Sequence, residues 1–265
     1  MKFRQKIALE TGISEGSIPA SCQILGDVML LKLRCSEAEK KKIAGSILQS
    51  HPYIKTVCEI KGVEGELRQP LVKKLWGNGT ETVHKESGIL YKLDASKLMF
   101  SKGNHFERRR LLGQAKKNEV VVDMFAGIGY FSLPLARHAK KVYSIEKNPV
   151  AFRYLQENIT LNKISNMDAI NADCREADIE GVADRILMGY FPGTEKFLPF
   201  ALKMLKDGGV IHFHNAYRED ELWKKPAEDL KALGNFRILT KKKVKSVGPR
   251  MWHVVLDVQV TNQTT

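Results

Sequence analysis

Acidic residues are in short supply in this 265-residue chain: 30 Asp and Glu stand against 43 Lys and Arg, a formal net charge of +13. Such a balance suits a polyanionic partner, although charge alone also fits a generally basic soluble protein. Cysteine is scarce too. Cys22, Cys35, Cys58 and Cys174 are scattered, with no Cys-x-x-Cys and no nearby histidine pair. That argues against a zinc site or a disulfide framework, and no metal is expected. Reduced thiols imply a cytoplasmic setting. No apolar run is long enough to cross a bilayer. The first ten residues, MKFRQKIALE, lack the apolar core of a signal peptide, so no membrane partner is expected. Internal repeats and low-complexity segments are absent. What is present is a hydrophobic content of 43%, enough for a packed core. The length suits one ordinary α/β domain plus a smaller one.

The chain is organised around Val120 to Ala136, VVVDMFAGIGYFSLPLA. Three β-branched residues end in Asp123. A turn with Gly127 and Gly129 follows, then an apolar run that can continue as a helix. The pattern predicts strand, tight loop and helix, the first unit of an α/β sheet. Glycine lets the backbone turn sharply and a ligand approach, and a helix N-terminus offers N–H groups to it. The dinucleotide fingerprint fits poorly, because its third glycine position is Ser132. Two further short apolar stretches close on acids. Val142 to Ile145 ends at Glu146, placed to bind ribose hydroxyls. Ala169 to Ala172 leads to Asp173 and Cys174, where a carboxylate can accept a hydrogen bond from an adenine amine. Each acid alone reads as a cap or turn residue. Three in register with a Gly-rich loop point to an adenosyl ligand.

The remaining elements follow in order. Met29 to Arg34 reads as a strand. Ser36 is an N-cap, with Glu39 completing a capping box for a helix over Ala38 to Ser50. Ile54 to Ile60 is a second strand. Residues 1 to 25 are weakly patterned, and Gly62 to Gly79 reads as loops and a short element. Thr80 to His84 and Ile89 to Leu93 form a hairpin. A small α+β domain over residues 1–95 therefore precedes a second domain over 96–265. In the junction, Arg108-Arg109-Arg110 reads first as a solvated helix face, although one arginine could meet a carboxylate or phosphate. Later elements are a strand over Asp184 to Gly189, a helix over Glu195 to Leu205, a strand over Val210 to His214 and a helix over Ala227 to Leu233. A terminal hairpin over Phe236 to Val247 and Trp252 to Val260 comes last. His212 and His214 share one strand face and read as packing or wall residues. The Lys241 to Lys245 cluster reads equally as an edge-strand guard or a phosphate-contacting surface. The polar tail, Thr261 to Thr265, is expected to fray.

The pattern Asp123-x-Phe125-x-Gly127-x-Gly129 resembles motif I of class I S-adenosylmethionine (AdoMet)-dependent transferases. Nearly the whole chain resembles the tRNA-modifying transferases that act on the purine 3′ to the anticodon. One branch methylates guanine N1. The other moves the 3-amino-3-carboxypropyl group of AdoMet onto the tricyclic wybutosine-precursor base of tRNA(Phe). The methyltransferase branch carries an Asn-x-Pro type motif after its fourth strand. Here that place reads Met188-Gly189-Tyr190-Phe191-Pro192-Gly193, without the asparagine. The junction Phe100-Ser101-Lys102-Gly103-Asn104 is similar to the F-S-x-G-N of the aminocarboxypropyl branch. The resemblance implies a Rossmann-like sheet closed by an antiparallel hairpin, AdoMet as co-substrate, tRNA as partner and a monomer; tRNA (guanine-N1) methyl transfer is the alternative. It implies cofactor contacts from Ser101, Arg108, Asp123, Phe125, Gly127, Gly129, Glu146, Asp173 and Cys174, with Cys174 acting through its backbone N–H. It names no general base. His105 and Tyr190 stand near enough in sequence to be considered, each reading first as structural.

Overall fold

The computed structural model describes residues 2–65 and 68–261 and divides into two compact units, Met1–Lys102 and Gly103–Thr265. The first opens on helix α1, Phe3–Thr11, closed by Gly12 in the left-handed region at φ 68°. Only Ile7 and Thr11 of α1 are buried, so the helix leaves little apolar period in the sequence and was not expected there. Strands β1, Gln23–Leu25, and β2, Val28–Leu31, follow. Helix α2, Glu37–Ser50, carries the expected capping box: the Glu39 N–H donates to Ser36 Oγ at 3.3 Å and the Ser36 N–H to Glu39 Oε2 at 2.9 Å. It crosses to β3, Thr56–Glu64, which lies parallel to β2. Ile43, Ala44 and Ile47 of α2 pack on Met29, Leu31 and Val57.

Gly62 to Gly79 is corrected by the structure. Residues up to Glu64 extend β3, and β4, Gln69–Trp76, pairs antiparallel with it. As the outer strand of the order β1-β2-β3-β4, β4 has mostly exposed side chains and tolerates Pro70; it therefore shows no buried period. The hairpin of β5, Glu81–Glu86, and β6, Ile89–Asp94, turns at Ser87 and Gly88, both at positive φ. Beyond β6, Phe100 meets the rings of His84 and Tyr91 edge-on at 4.8 and 5.2 Å, which ties this stretch to the first unit.

The second unit begins with helix α3, His105–Leu112. Then come β7, Val120–Asp123; α4, Ser132–Ala136; β8, Lys141–Ile145; α5, Pro149–Leu161; β9, Met167–Ile170; and β10, Ala183–Met188. Helix α6 is Leu198–Met204, behind a 3-10 turn over Thr194–Phe197. Strand β11, Leu205–Arg218, is far longer than the expected 210–214 and takes in Gly208 and Gly209 through a register shift opposite β10. The expected helix over 227–233 is instead α7, Lys225–Asp229, and a 3-10 turn, Leu230–Leu233. The hairpin β12, Phe236–Gly248, and β13, Met251–Val260, closes the unit. The strand order is β12-β13-β11-β10-β7-β8-β9. The pairs from β11 through β9 are parallel, and β13 is antiparallel to both neighbours. This is the α/β sheet with a terminal antiparallel hairpin that the resemblance implies. The tail at 262–265, expected to fray, lies outside the described residues.

Candidate functional site

Because β7, β8, β9 and β10 are parallel, their C-terminal ends share one edge, where an open α/β sheet binds ligands. The Gly-rich loop leaves β7 there. Gly127 and Gly129 have φ of 58° and 93°. A Cβ on Gly127 would stand 2.5 Å from the Tyr130 ring, and one on Gly129 would stand 2.5 Å from Leu133 Cγ. Both positions therefore require glycine twice over, by torsion and by space.

The loop is bound to the next strand through Glu146. Its Oε2 accepts the Gly127 N–H at 2.6 Å, and its Oε1 accepts the Asn148 N–H at 2.7 Å. Burial raises the Glu146 pKa against these hydrogen bonds. The expected array of N–H groups at a helix start is largely spent inside the loop. The Gly127 N–H goes to Glu146, and those of Gly129 and Tyr130 go to the Ala126 carbonyl. Helix α4 is also only five residues long.

Asp123 is fully buried. Its Oδ1 accepts the Phe125 N–H at 3.3 Å. Its Oδ2 and the neighbouring Ser132 hydroxyl complete no hydrogen bond of normal geometry. Burial pushes its pKa up to about 7. A buried carboxylate with an unsatisfied oxygen is costly unless it is protonated or a donor arrives.

Asp173 is already gripped. Arg175 donates Nε and Nη2 to its two oxygens at 2.8 and 2.7 Å, and Lys147 Nζ lies 3.3 Å away. The Arg175 hydrogen bonds hold it well below the usual carboxylate range. Cys174 is buried, which pushes its thiol pKa up to about 12; its sulfur is an inert neighbour.

Sequence reasoning missed an aromatic wall. Phe125 stacks on Tyr190 with centroids 5.2 Å apart and planes at 25°. Phe197 meets both edge-on at 5.0 and 5.9 Å, and the Arg175 guanidinium lies over Phe197. All three rings are half-buried. The signal was thin, because Phe197 belongs to a stretch that reads only as helix.

The arginine run is not a solvated face. Arg108 is buried, with its charge felt at the Tyr130 hydroxyl. Arg110 is held by Glu107 and Asp257; only Arg109 faces water. Ser101 belongs to the first unit, near its C-terminal end, and is half-buried. His105 packs its ring edge-on against Phe106.

His212 and His214 are buried in a polar lattice. His212 Nδ1 lies 2.6 Å from Asp257 Oδ1, and Nε2 faces Arg185. With a cation donating to Nε2, the Nδ1–H donates to Asp257 and the ring is neutral. Burial lowers the His212 pKa, in keeping with that state. Arg185 is itself held by Glu119 at 2.9 Å.

The geometry fits an adenosyl ligand. It offers an unsatisfied buried carboxylate oxygen, a loop with no room for side chains, and acids at the ends of β7 and β8 and just beyond β9. Comparison with known proteins agrees. A family model for the TRM5/TYW2 methyltransferase domain matches residues 82–240, and one for the TYW2 N-terminal domain matches 6–80. The chain is 44% identical to the tRNA(Phe) (4-demethylwyosine(37)-C(7)) aminocarboxypropyltransferase of Methanocaldococcus jannaschii, over 89% of this chain and 96% of that one. It is 36% identical to the tRNA (guanine(37)-N(1))-methyltransferase Trm5b of Pyrococcus abyssi, over 92% and 76%. Among solved structures, P. horikoshii TYW2 in complex with MeSAdo superposes with a TM-score of 0.87 at 41% identity, covering 98% of this chain and 100% of that one.

Proposed function

The chain belongs to the TRM5/TYW2 family, and from that premise we infer that it is a tRNA-modifying transferase of the aminocarboxypropyl branch. It moves the 3-amino-3-carboxypropyl group of AdoMet to a carbon of the tricyclic base 3′ to the anticodon and releases methylthioadenosine. The observation that carries this is the 44% identity, along nearly the full length of both chains, to an aminocarboxypropyltransferase. Tyr190 in place of the methyltransferase branch's asparagine supports it, as does the Phe100-Ser101-Lys102-Gly103-Asn104 junction.

A sulfonium has three carbons open to displacement. The protein selects one by holding it in line with the nucleophile. In this reaction the base carbon attacks Cγ of the methionine tail, the Cγ–S bond breaks, and the base loses a proton. Glu146 receives the ribose hydroxyls with the lone pairs its two N–H donors leave free. Asp173 accepts from the adenine amine beside its Arg175 fork, and the Cys174 N–H borders the ring. Gly127 and Gly129 let the tail pass close to the loop, whose turn Asp123 holds. Arg108 fixes the tail, with its guanidinium paired to the tail's carboxylate. Phe125 and Tyr190 offer an apolar face to the planar base and keep water from the reacting carbon. The substrate is tRNA(Phe), and the chain acts as a cytoplasmic monomer.

AdoMet with distinct labels in its methyl and carboxypropyl carbons tests the reaction. With tRNA(Phe) carrying the tricyclic precursor base, carboxypropyl label enters the RNA and methylthioadenosine is released. Methyl label in the RNA, with S-adenosylhomocysteine released, would place the chain in the methyltransferase branch instead.

A further inference from the structure

Residues 103–265 carry 26 Lys and Arg against 19 Asp and Glu; six of those cations and none of the acids fall between Asn235 and Leu256. The six are Arg237, Lys241, Lys242, Lys243, Lys245 and Arg250. With Asp257 on β13 counted against the six, the β12–β13 hairpin holds +5 of the second unit's net +7.

Register shows which way the hairpin reaches. Asp123 pairs across to Leu187, Leu187 to His212, His212 to Asp257 and Asp257 to Thr240. Strand β12 runs in the same direction as β7, being two antiparallel steps from β11. Asp123 is the last residue of β7. The lysine run therefore starts one residue beyond the level of Asp123, where the Gly-rich loop begins. It stands at the ligand end of the sheet, four strands to the side of β7, roughly 19 Å away.

The register irregularities of β12 flank the lysine run, at 238/240, 243/245 and 246/248; within it Lys241, Lys242 and Lys243 alternate in regular register, and all three are exposed. Lys243 lies over the Trp252 ring at 4.4 Å and 3.4 Å from Glu219. Among the described residues, no carboxylate is within ion-pair distance of Lys241 or Lys242. A guard against edge-to-edge pairing needs charge somewhere along the strand. It gives no reason for the charge to crowd toward the ligand end.

We propose that the projecting half of this hairpin is a phosphate-binding arm that grips the RNA backbone beside the cleft, with Lys241 and Lys242 as its main contacts. The arm rests on the RNA substrate inferred above. Lys241 to Lys245 span about 14 Å of extended chain, the reach of a few consecutive phosphates.

The test measures equilibrium binding of an unmodified tRNA(Phe) transcript to the full chain across a salt series. The variant is K241Q/K242Q. The control is K116Q/K117Q, an exposed pair ahead of β7 at the opposite end of the sheet. K241Q/K242Q should weaken tRNA binding about tenfold at low salt and reduce the log–log salt slope by about one to two, with AdoMet affinity unchanged. The control should alter both far less. An unchanged affinity and slope in K241Q/K242Q overturns the arm and leaves an edge guard, whether or not the variant self-associates. Equal losses in both pairs overturn it in favour of general charge. If the unaltered chain shows no salt-dependent binding, the RNA reading itself fails and the arm falls with it.

Discussion

Two groups of charged residues sit in the same sheet and have opposite characters. The first is the row of acids at the cleft, Asp123, Glu146 and Asp173. The second is the buried lattice of Glu107, Arg110, Asp257, His212, Arg185 and Glu119. In the lattice every charge has a partner. Asp257 takes Arg110, His212 and Gln114 at once, and against the burial that pushes it up, His212 and Arg110 hold its pKa well below the carboxylate range. In the cleft, burial wins for two of the three acids, and Asp123 keeps an oxygen unsatisfied. The lattice is thus closed on itself, whereas Asp123 at the strand end keeps an acceptor that its surroundings do not fill.

Cutting the lattice should produce the largest effect. Asp257 is 2% exposed, and Asp257→Ala leaves the Arg110 cation with Glu107 as its remaining carboxylate partner and removes the acceptor for His212. The unfolding free energy should fall by about 3–5 kcal/mol in urea titrations, while the AdoMet affinity of the folded fraction stays at its original value. A loss of AdoMet affinity with stability intact would reverse the roles assigned to the two groups.

The cleft should show itself through pH. Asp123 has a native pKa of about 7, above an unfolded value of about 3.9. Between those values the native state holds a proton that the unfolded state has released. The stabilisation is full below pH 4 and is lost as pH rises through 7. Asp123→Asn lacks that dependence. The stability of the unaltered protein relative to this variant should fall across pH 4–7, by up to about 1.4 kcal/mol per pH unit. Because the other titrating groups are common to both proteins, a flat difference would mean that Asp123 is ionised and satisfied in the native state.

The same contrast explains what the sequence could reveal. The cleft was legible because each acid closes or follows a short apolar strand, and because glycine at residues 127 and 129 marks a turn whose torsions demand it. The order of units then fixes the row. The terminal hairpin was legible as two long strand-like runs around Gly248-Pro249-Arg250. The lattice was not legible: Arg110 and Asp257 are 147 residues apart, and nothing local marks either as buried. Arg108-Arg109-Arg110 looked solvated for that reason. Strand β4 and helix α1 escaped notice because both expose most of their side chains, and a period can be read only where one face is buried.

The smallest expected effect tests whether position at the strand end is what matters. Asp168 and Asp173 belong to the same βα unit, five residues apart. Asp168 lies within β9 and pairs with Lys141 at 2.6 Å, with side chains 53% and 30% exposed. Asp173 lies beyond the end of that strand, inside the row of acids. An exposed pair such as Lys141–Asp168 contributes less than about 1 kcal/mol, so Asp168→Ala should leave stability within that margin and AdoMet affinity within about twofold. Asp173→Ala removes the acceptor assigned to the adenine amine and should weaken AdoMet binding by at least tenfold, about 1.4 kcal/mol. Calorimetric titration of the two variants separates them. Equal losses would mean that general negative charge near β9 attracts the sulfonium, and the strand-end carboxylate would lose its assigned role.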